Sequence, residues 1–558
     1  MTSPTSGRGS AEEIADVVVI GGGHNGLVCA AYLARDGLDV VVLERNERCG
    51  GALFSSRAGG TTLEHGGVEH TTIVASTIPD ELDLADHGLE YSHRTLAGVH
   101  RFGDGVQIVI AETAAETAAS ISALDPRDGD AWLELVAASR RLFDLLADVG
   151  GGRPMTSSLL QRGARLLPAS DRAVAELAAM SVAELASDRF ASPHVRAMAI
   201  ARSSFSGLPA WAPGTAAVFC LTPGGHGRRF SRPIGGSNAF VSALRRAADA
   251  QGVRIRTGVC VESIRSASDS SWEVSAGSTG RFRARHAVVH AAAPTDLVRL
   301  VRPLEVLPAR LVRGLRHVEV VAGNLSQFTL AASLAEPPDW PADLPAEAPA
   351  AMLWLVDRPS DVMEGHTAAT VGSLPRRPSV VAAFPSVVDA TAAPPGESSM
   401  WVNGFLARHL SGRRWTEDDV ATAAEAAWST VERCLPGVRD RVSAEVFTSP
   451  DDLTARTGMA NPGSHLATSV HQLLGGRPVR GFARHRAGRG IYMTGAGTGA
   501  GPSISGLPGR ACARAVLDDV TRGGAPGRAR SMVDMAGAEA RRARRLLELV
   551  TDRAPHDR

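Results

Sequence analysis

Three glycines, Gly21, Gly23 and Gly26, follow directly on the apolar run Val17 to Ile20, and a carboxylate, Glu44, closes the next apolar run. These types in this order suit one chemistry. The first glycine permits a tight turn, the second lets backbone approach a pyrophosphate, and the third allows a helix to pack closely on a strand. The helix N-terminus attracts the negative charge. A carboxylate about 20 residues on can accept both hydroxyls of an adenosine ribose, and it disfavours a 2′-phosphate. The expectation is a dinucleotide, FAD or NAD. A second pair, Gly50 and Gly51 in "RCGGALF", stands just after the ribose-binding strand, where backbone could close over a longer cofactor.

A late cluster, "GIYMTGAGTGAGPSISGLPG" at 490–509, raises the question of a second nucleotide turn, because Gly495, Gly497 and Ala500 satisfy G-x-G-x-x-A. Pro502 speaks against it: proline where the first turn of the helix would run removes hydrogen bonds and clashes with backbone. No strand ending in an acid follows at the expected distance, since Asp518 and Asp519 lie on the trailing helix. The better reading makes Ile491 to Thr494 a late strand of the first sheet, with Gly495 near the pyrophosphate. The helix would then begin near Ser505 and Gly506, its positive end towards the reactive ring.

The elements that must position these residues alternate along the chain. "ADVVVIGGGHNGLVCAAYLARDGLDVVVLERN" reads as strand, turn, helix, strand. Segment 130–150 carries Trp132, Leu135, Val136, Leu142, Phe143 and Leu146 on one helical stripe. Turn, helix and strand return over 232–266, and "RFRARHAVVHAAA" is a further strand. Pro-rich loops with apolar strands fill 320–410, and two helical stretches follow around 417–437. The fold class is therefore α/β, discontinuous, with segments 14–125, 231–300 and 481–520 forming the dinucleotide-binding unit. Segments 126–230 and 301–480 form a mixed α+β substrate unit, and 521–558 is a linker with an Arg-rich helix.

These motifs resemble the flavoprotein amine oxidase and phytoene desaturase superfamily. "GGGHNGLVCAAYLARDG", "RPIGGSNAFVSALRRAA", "FPSVVDATAAPPG" and the late cluster are similar to its phytoene-dehydrogenase-like branch, which includes the carotenoid ketolases. The resemblance runs over most of residues 14–520. It implies a Rossmann-like FAD-binding domain of the glutathione reductase type 2 kind. It also implies FAD held at Gly21, Gly23, Gly26, Glu44, Gly50, Gly51 and Ala52, with Val261 flanking the adenine and Gly495, Ser505 and Gly506 on the far side. Amine oxidases typically carry Arg at the position of Ala52, so the ketolase-like branch fits better.

Other residues carry weaker signals. Glu64, His65 and His70 follow the Gly-Gly motif and could act as acid or base, or simply bond within a loop. His24 sits inside the phosphate turn, and Cys49 is a lone cysteine beside Gly50. No catalytic residue is assigned. "LLQRGARLLP" at 159–168 suits either an interfacial membrane segment or a packed helix, and Arg541, Arg542, Arg544 and Arg545 suit a solvated helix face.

Composition bounds the partners. Hydrophobic residues are 44% and charged residues 21%, ordinary for a soluble globular chain. Lys+Arg and Asp+Glu are both 59, so no global field draws nucleic acid. Six scattered cysteines signal neither a disulfide framework nor a zinc site, so a reducing, cytoplasmic setting is expected, with peripheral membrane contact the open alternative. The expected activity is FAD-dependent oxidation or desaturation of a lipophilic substrate such as a carotenoid or polyene, with oxygen or a quinone as acceptor. A smaller secondary metabolite is the rival substrate, since only 3 Tyr and 14 Phe are available to line a tunnel. A non-catalytic lipid escort on the same scaffold is a third reading.

Overall fold

The computed structural model describes residues 12–150, with side chains to 142, then 176–227 apart from 178. It further describes 230–499 apart from 470, 471, 473–475, 480, 481, 483 and 484, and finally 501–522. The segment 159–168, Ala500 and the Arg-rich stretch near 534–550 lie outside the described residues.

The first sheet is built on four parallel strands drawn from three parts of the chain. Glu13–Ile20 lies between Val40–Leu43 and Arg281–His290, and Ile491–Met493 pairs with the last residues of Arg281–His290. Arg254–Arg256 extends the sheet beside Val40–Leu43. Val17 to Val19 and Val40 to Val42 are fully buried, which is why these strands read as unbroken apolar runs: helices cover both faces of a parallel sheet. Helices His24–Arg35, Gly236–Ala250 and Leu507–Arg522 share one core with this sheet through Leu27, Phe240 and Val516. The antiparallel strands Ser263–Ser266 and Trp272–Ser275 continue it on the far side.

A second, seven-stranded sheet contains Gly98–Phe102, Gln107–Ile110, Leu325–Leu334, Met352–Val356, Val380–Ala383, Ser398–Ala407 and Val442–Thr448. One of its faces carries Leu353, Leu355, Ala382 and Val402 against helix Glu417–Cys434, through Ala423 and Trp428. The other looks towards the first unit, where Val68 packs on Val381, Ala383 and Trp401. Two expectations are corrected here. Strands 98–102 and 107–110, expected within the dinucleotide unit 14–125, are hydrogen-bonded into the second sheet. An apolar hairpin has the same pattern whichever sheet it joins. The two helical stretches expected at 417–437 are a single helix, Glu417–Cys434, opened by a capping box between Thr416 and Asp419.

Helices pack beside the second sheet. Helix Pro126–Gly150 buries Trp132, Leu135, Val136 and Leu142 as its stripe predicts, together with Val182 and Leu185 of helix Val182–Arg189 and Met198 of helix Pro193–Ser203. Among the described residues, no helix is long and apolar enough to cross a membrane.

Candidate functional site

The parallel strands of the first sheet end at one edge, the crevice where open α/β sheets bind ligands. Gly21 leaves Glu13–Ile20 at φ +109, and a Cβ there would stand 3.1 Å from the carbonyl oxygen of Ala291. Gly495 leaves Ile491–Met493 at φ +108, with its own Cβ position 3.6 Å from that same oxygen. Both line a cleft of about 230 Å³, together with Gly23, Glu44, Gly51, Ala52, Val261 and Ala496. The late glycines therefore form the second wall of the recess that Gly21 opens.

The cleft floor is a glycine cradle. Gly23 caps helix His24–Arg35, and no acidic side chain occupies that helix's first turn, which leaves its positive end to a ligand. Gly50 donates its N–H to Gly22 O at 3.0 Å, bringing the second glycine turn against the first. A Cβ on Gly51 would lie 3.2 Å from Gly23 Cα. Gly26 does not line the cleft. Its hypothetical Cβ falls 2.1 Å from Gly21 O, so it permits the close approach of helix and strand.

Glu44 is 5% exposed; its Oε2 accepts the Gly22 N–H at 2.8 Å and its Oε1 the Asn46 N–H at 2.9 Å. Each oxygen keeps a lone pair for a hydroxyl in the cleft. Two acceptors, Asn25 Oδ1 and His290 Nδ1, belong to cleft-lining residues and are buried without a partner. His290 Nε2 lies 2.8 Å from Ala293 O and so must carry the proton, leaving Nδ1 free to accept. Glycine backbone for a pyrophosphate, a carboxylate for a ribose and spare acceptors for further hydroxyls fit FAD.

Ser505 and Gly506 do not line this cleft. The Ser505 hydroxyl accepts the Leu507 N–H at 3.3 Å, and Gly506 packs on Val28, Ile73 and Ile78. The helix starts at Leu507, and Gly509 is so close to the first helix that a Cβ would meet Asn25 O at 2.3 Å. Gly50 likewise shapes the cradle from behind.

The titratable residues after the Gly-Gly motif are bound in networks. Ser237 donates to Gly67 O at 2.7 Å, so His70 Nε2, 3.2 Å from that hydroxyl, carries the proton and His70 Nδ1 accepts from Tyr91. Burial holds His70 down to about 3. Glu64 accepts from Ser55 and from the Ser237 N–H, and burial pushes it up to about 7. His65 stacks on Phe54 with ring centroids 5.0 Å apart, and burial lowers it to about 4. His24, also held near 4 by burial, lies 3.0 Å from Asn25 Nδ2. Burial and the neighbouring Glu44 push the Cys49 thiol up to about 11, which makes it inert.

Sequence reasoning missed one whole wall. His290, Ala292, Asp296 and Arg299 enter from the end of strand Arg281–His290 and the stretch that follows it, and Thr457, Gly458, Met459 and His465 from the end of helix Pro450–Thr457 and the stretch beyond it. The string "HAAAPTD" after an apolar strand was the available signal for the first group. Arg477 braces this wall: its Nε donates to Ala496 O at 2.9 Å and its Nη2 to Ser464 O at 2.6 Å.

Comparison with known proteins agrees with this geometry. The family model described as "FAD dependent oxidoreductase" matches residues 16–321, more than half of the chain. The mouse (Mus musculus) pyridine nucleotide-disulfide oxidoreductase domain-containing protein 2 is 24% identical over 557 residues, covering 90% of this chain and 94% of that protein. A carotenoid 3,4-desaturase of Haloarcula japonica is 32% identical over 137 residues, 23% of this chain and 26% of its own length. A triple mutant of putrescine oxidase shares the fold at a TM-score of 0.60 and 16% identity, over 92% of this chain and 100% of that one.

Proposed function

The chain belongs to the FAD dependent oxidoreductase family, and from that premise we propose that this enzyme removes hydride from an apolar organic substrate, such as a carotenoid or other polyene, in the manner of the phytoene-desaturase-like branch. Oxygen or a quinone is the proposed final acceptor. The observation that carries this reading is the opening of Gly21, Glu44 and Gly495 onto one cleft. The late cluster, the candidate for a separate nicotinamide site, walls the same recess, so the electrons are assigned to an organic donor.

FAD, when bound, supplies the two-electron acceptor. The chain's own residues would bind and orient it. The Glu44 carboxylate would take the ribose hydroxyls, and the Gly21–Gly23 and Gly50–Gly51 backbones would close on the pyrophosphate. The N-terminus of His24–Arg35 would offset the phosphate charge. Ala52, where amine oxidases typically carry Arg, and the partial likeness to a carotenoid desaturase support the polyene reading over amine oxidation.

A second reading, a smaller and more polar metabolite, is favoured by the face of the second sheet that looks towards the first unit. There Thr329 Oγ1, Trp401 Nε1 and Asn403 Oδ1 are buried without partners. Anaerobic titration of the purified holoenzyme tests both. Bleaching of the flavin band by polyenes is expected; bleaching by small polar metabolites alone selects the second reading, and rapid bleaching by NADPH alone overturns both.

A further inference from the structure

The stretch after helix Pro450–Thr457 carries His465 from the second unit to the cofactor cleft. Two anchors fix it there. The Ser326 hydroxyl, on strand Leu325–Leu334, donates to Asn461 Oδ1 at 2.7 Å, and Asn461 O accepts the His465 N–H at 2.8 Å. Arg477 holds the residues on either side. Its Nη2 donates to Ser464 O at 2.6 Å and to Leu466 O at 3.4 Å, while its Nε reaches Ala496 O of the late-glycine wall at 2.9 Å. His465 is thereby set against that wall, its Cβ 3.5 Å from the Cβ position of Gly497.

His465 is held at φ +62, a left-handed backbone that L residues seldom adopt. Such strain persists only where the surroundings over-determine it, and it gathers at ligand sites. Burial, then Arg477 and the imidazoles of His290 and His24, lower its pKa to about 3, so the ring is neutral near pH 7. Nδ1 accepts the Ala460 N–H at 3.4 Å, which leaves the proton on Nε2. Among the described residues nothing accepts that proton, and His465 lines the cleft at 7% exposure. His24, which lines the same cleft, opens helix His24–Arg35, whose first turn carries no acidic side chain. A donor from the second unit and a helix N-terminus from the first thus border one recess.

We propose that His465 donates from Nε2 to a pyrophosphate oxygen of the dinucleotide, so that the cofactor is fastened from the second unit as well as from the glycine turns of the first. This rests on the FAD reading above and adds to it a phosphate-recognising side chain outside every glycine motif. The helix N-terminus and the glycine backbone present N–H groups, and one more N–H donor suits an anion that can only accept. Glu44, a carboxylate that can only accept, suits the ribose hydroxyls instead.

The full-length apoprotein, stripped of flavin, is titrated calorimetrically with FAD, with ADP and with adenosine, the last two differing by the pyrophosphate. His465→Phe keeps a ring without the donor, and His465→Asn keeps a donor on a residue that tolerates left-handed backbone. In His465→Phe the affinity for FAD and ADP should fall roughly 10- to 100-fold, as for a hydrogen bond to a charged group, with adenosine unchanged. His465→Asn should retain part of the difference. Unchanged ADP affinity in His465→Phe, or equal losses for ADP and adenosine, overturns the proposal. A second measurement needs no variant to fold. In the wild type, ADP and not adenosine should shield His465 from carbethoxylation by diethyl pyrocarbonate, read by peptide mass mapping. A His465 that is unreactive in the free apoprotein, or shielded equally by both ligands, also overturns it. Absence of flavin from the purified protein strikes at the proposed function instead, so the two failures are distinguishable.

Discussion

Gly21 and Gly495 address one carbonyl: from either side of the strand Arg281–His290, their Cβ positions stand 3.1 and 3.6 Å from Ala291 O. Each sits at a φ near +108, where an L side chain is strained. Two ends of the chain thus meet at one crevice, and perturbing either should have the same consequence.

Gly495→Ala is accordingly expected to lose flavin much as Gly21→Ala does, at a cost of about 1–3 kcal/mol in stability from the left-handed backbone. The flavin-to-protein absorbance ratio of each purified variant reads the effect. Full flavin retention in Gly495→Ala would show that the late glycines serve something other than this cleft.

Glu44→Ala removes the carboxylate that fastens Gly22 and faces the cleft. Loss of a charged hydrogen-bonding partner should weaken FAD binding roughly 10- to 100-fold. Quenching of FAD fluorescence on titrating apoprotein gives the dissociation constant, and an affinity within twofold of wild type would remove Glu44 from the site.

Histidines held neutral by burial set an acid limit. Burial lowers His24 to about 4, and His70 and His465 to about 3. An unfolded histidine titrates near 6.5, so below that pH the unfolded chain binds protons that the fold does not. Stability therefore falls as pH drops from about 6.5 towards 4, by up to about 1.4 kcal/mol per histidine per pH unit. Glu64, raised from 4.5 to about 7, runs the other way: its contribution is full below 4.5 and is lost as pH rises towards 7. Burial also lowers His65 and His366 to about 4, so the imidazoles together outweigh one carboxyl. Urea midpoints should fall between pH 7 and pH 5, and more steeply in Glu64→Gln; a constant or rising midpoint would contradict the assignment.

Cys260 is exposed and lines the cleft, whereas Cys29, Cys220, Cys434 and Cys512 are buried. Brief treatment of the native apoprotein with N-ethylmaleimide should modify Cys260 first, and saturating FAD should slow that modification several-fold. Peptide mass mapping distinguishes this from labelling at Cys49, whose thiol is held up at about 11. Equal labelling with and without FAD would place the cofactor elsewhere.

What could be read directly was whatever local backbone chemistry dictates. Gly21 and Gly26 specify a strand-to-helix turn because a side chain would strain the backbone at the first and clash with Gly21 O at the second, Gly23 leaves its backbone open to a pyrophosphate, and Glu44 follows from the length of one βαβ unit. Pro502 excluded a helix within the late cluster, and the helix does begin later, at Leu507. The wall formed by His290, Asp296, Met459 and His465 was not legible, because these residues stand at a strand end and on connecting stretches whose own sequence says nothing of what they face. Ser505 and Gly506, expected beside the reactive ring, are buried just ahead of helix Leu507–Arg522, and Gly506 stands against Val28, Ile73 and Ile78.

The sequence by itself determined the α/β class, the single cofactor turn and its acid, since these depend on allowed φ and ψ, hydrophobic period and charge over short spans. Only the tertiary structure decided that strands 98–102 and 107–110 join the second sheet, and that Arg202 lies over the Trp354 ring and bonds to His100. Such pairings bring distant segments together through burial and packing, for which many sequence positions are locally equivalent.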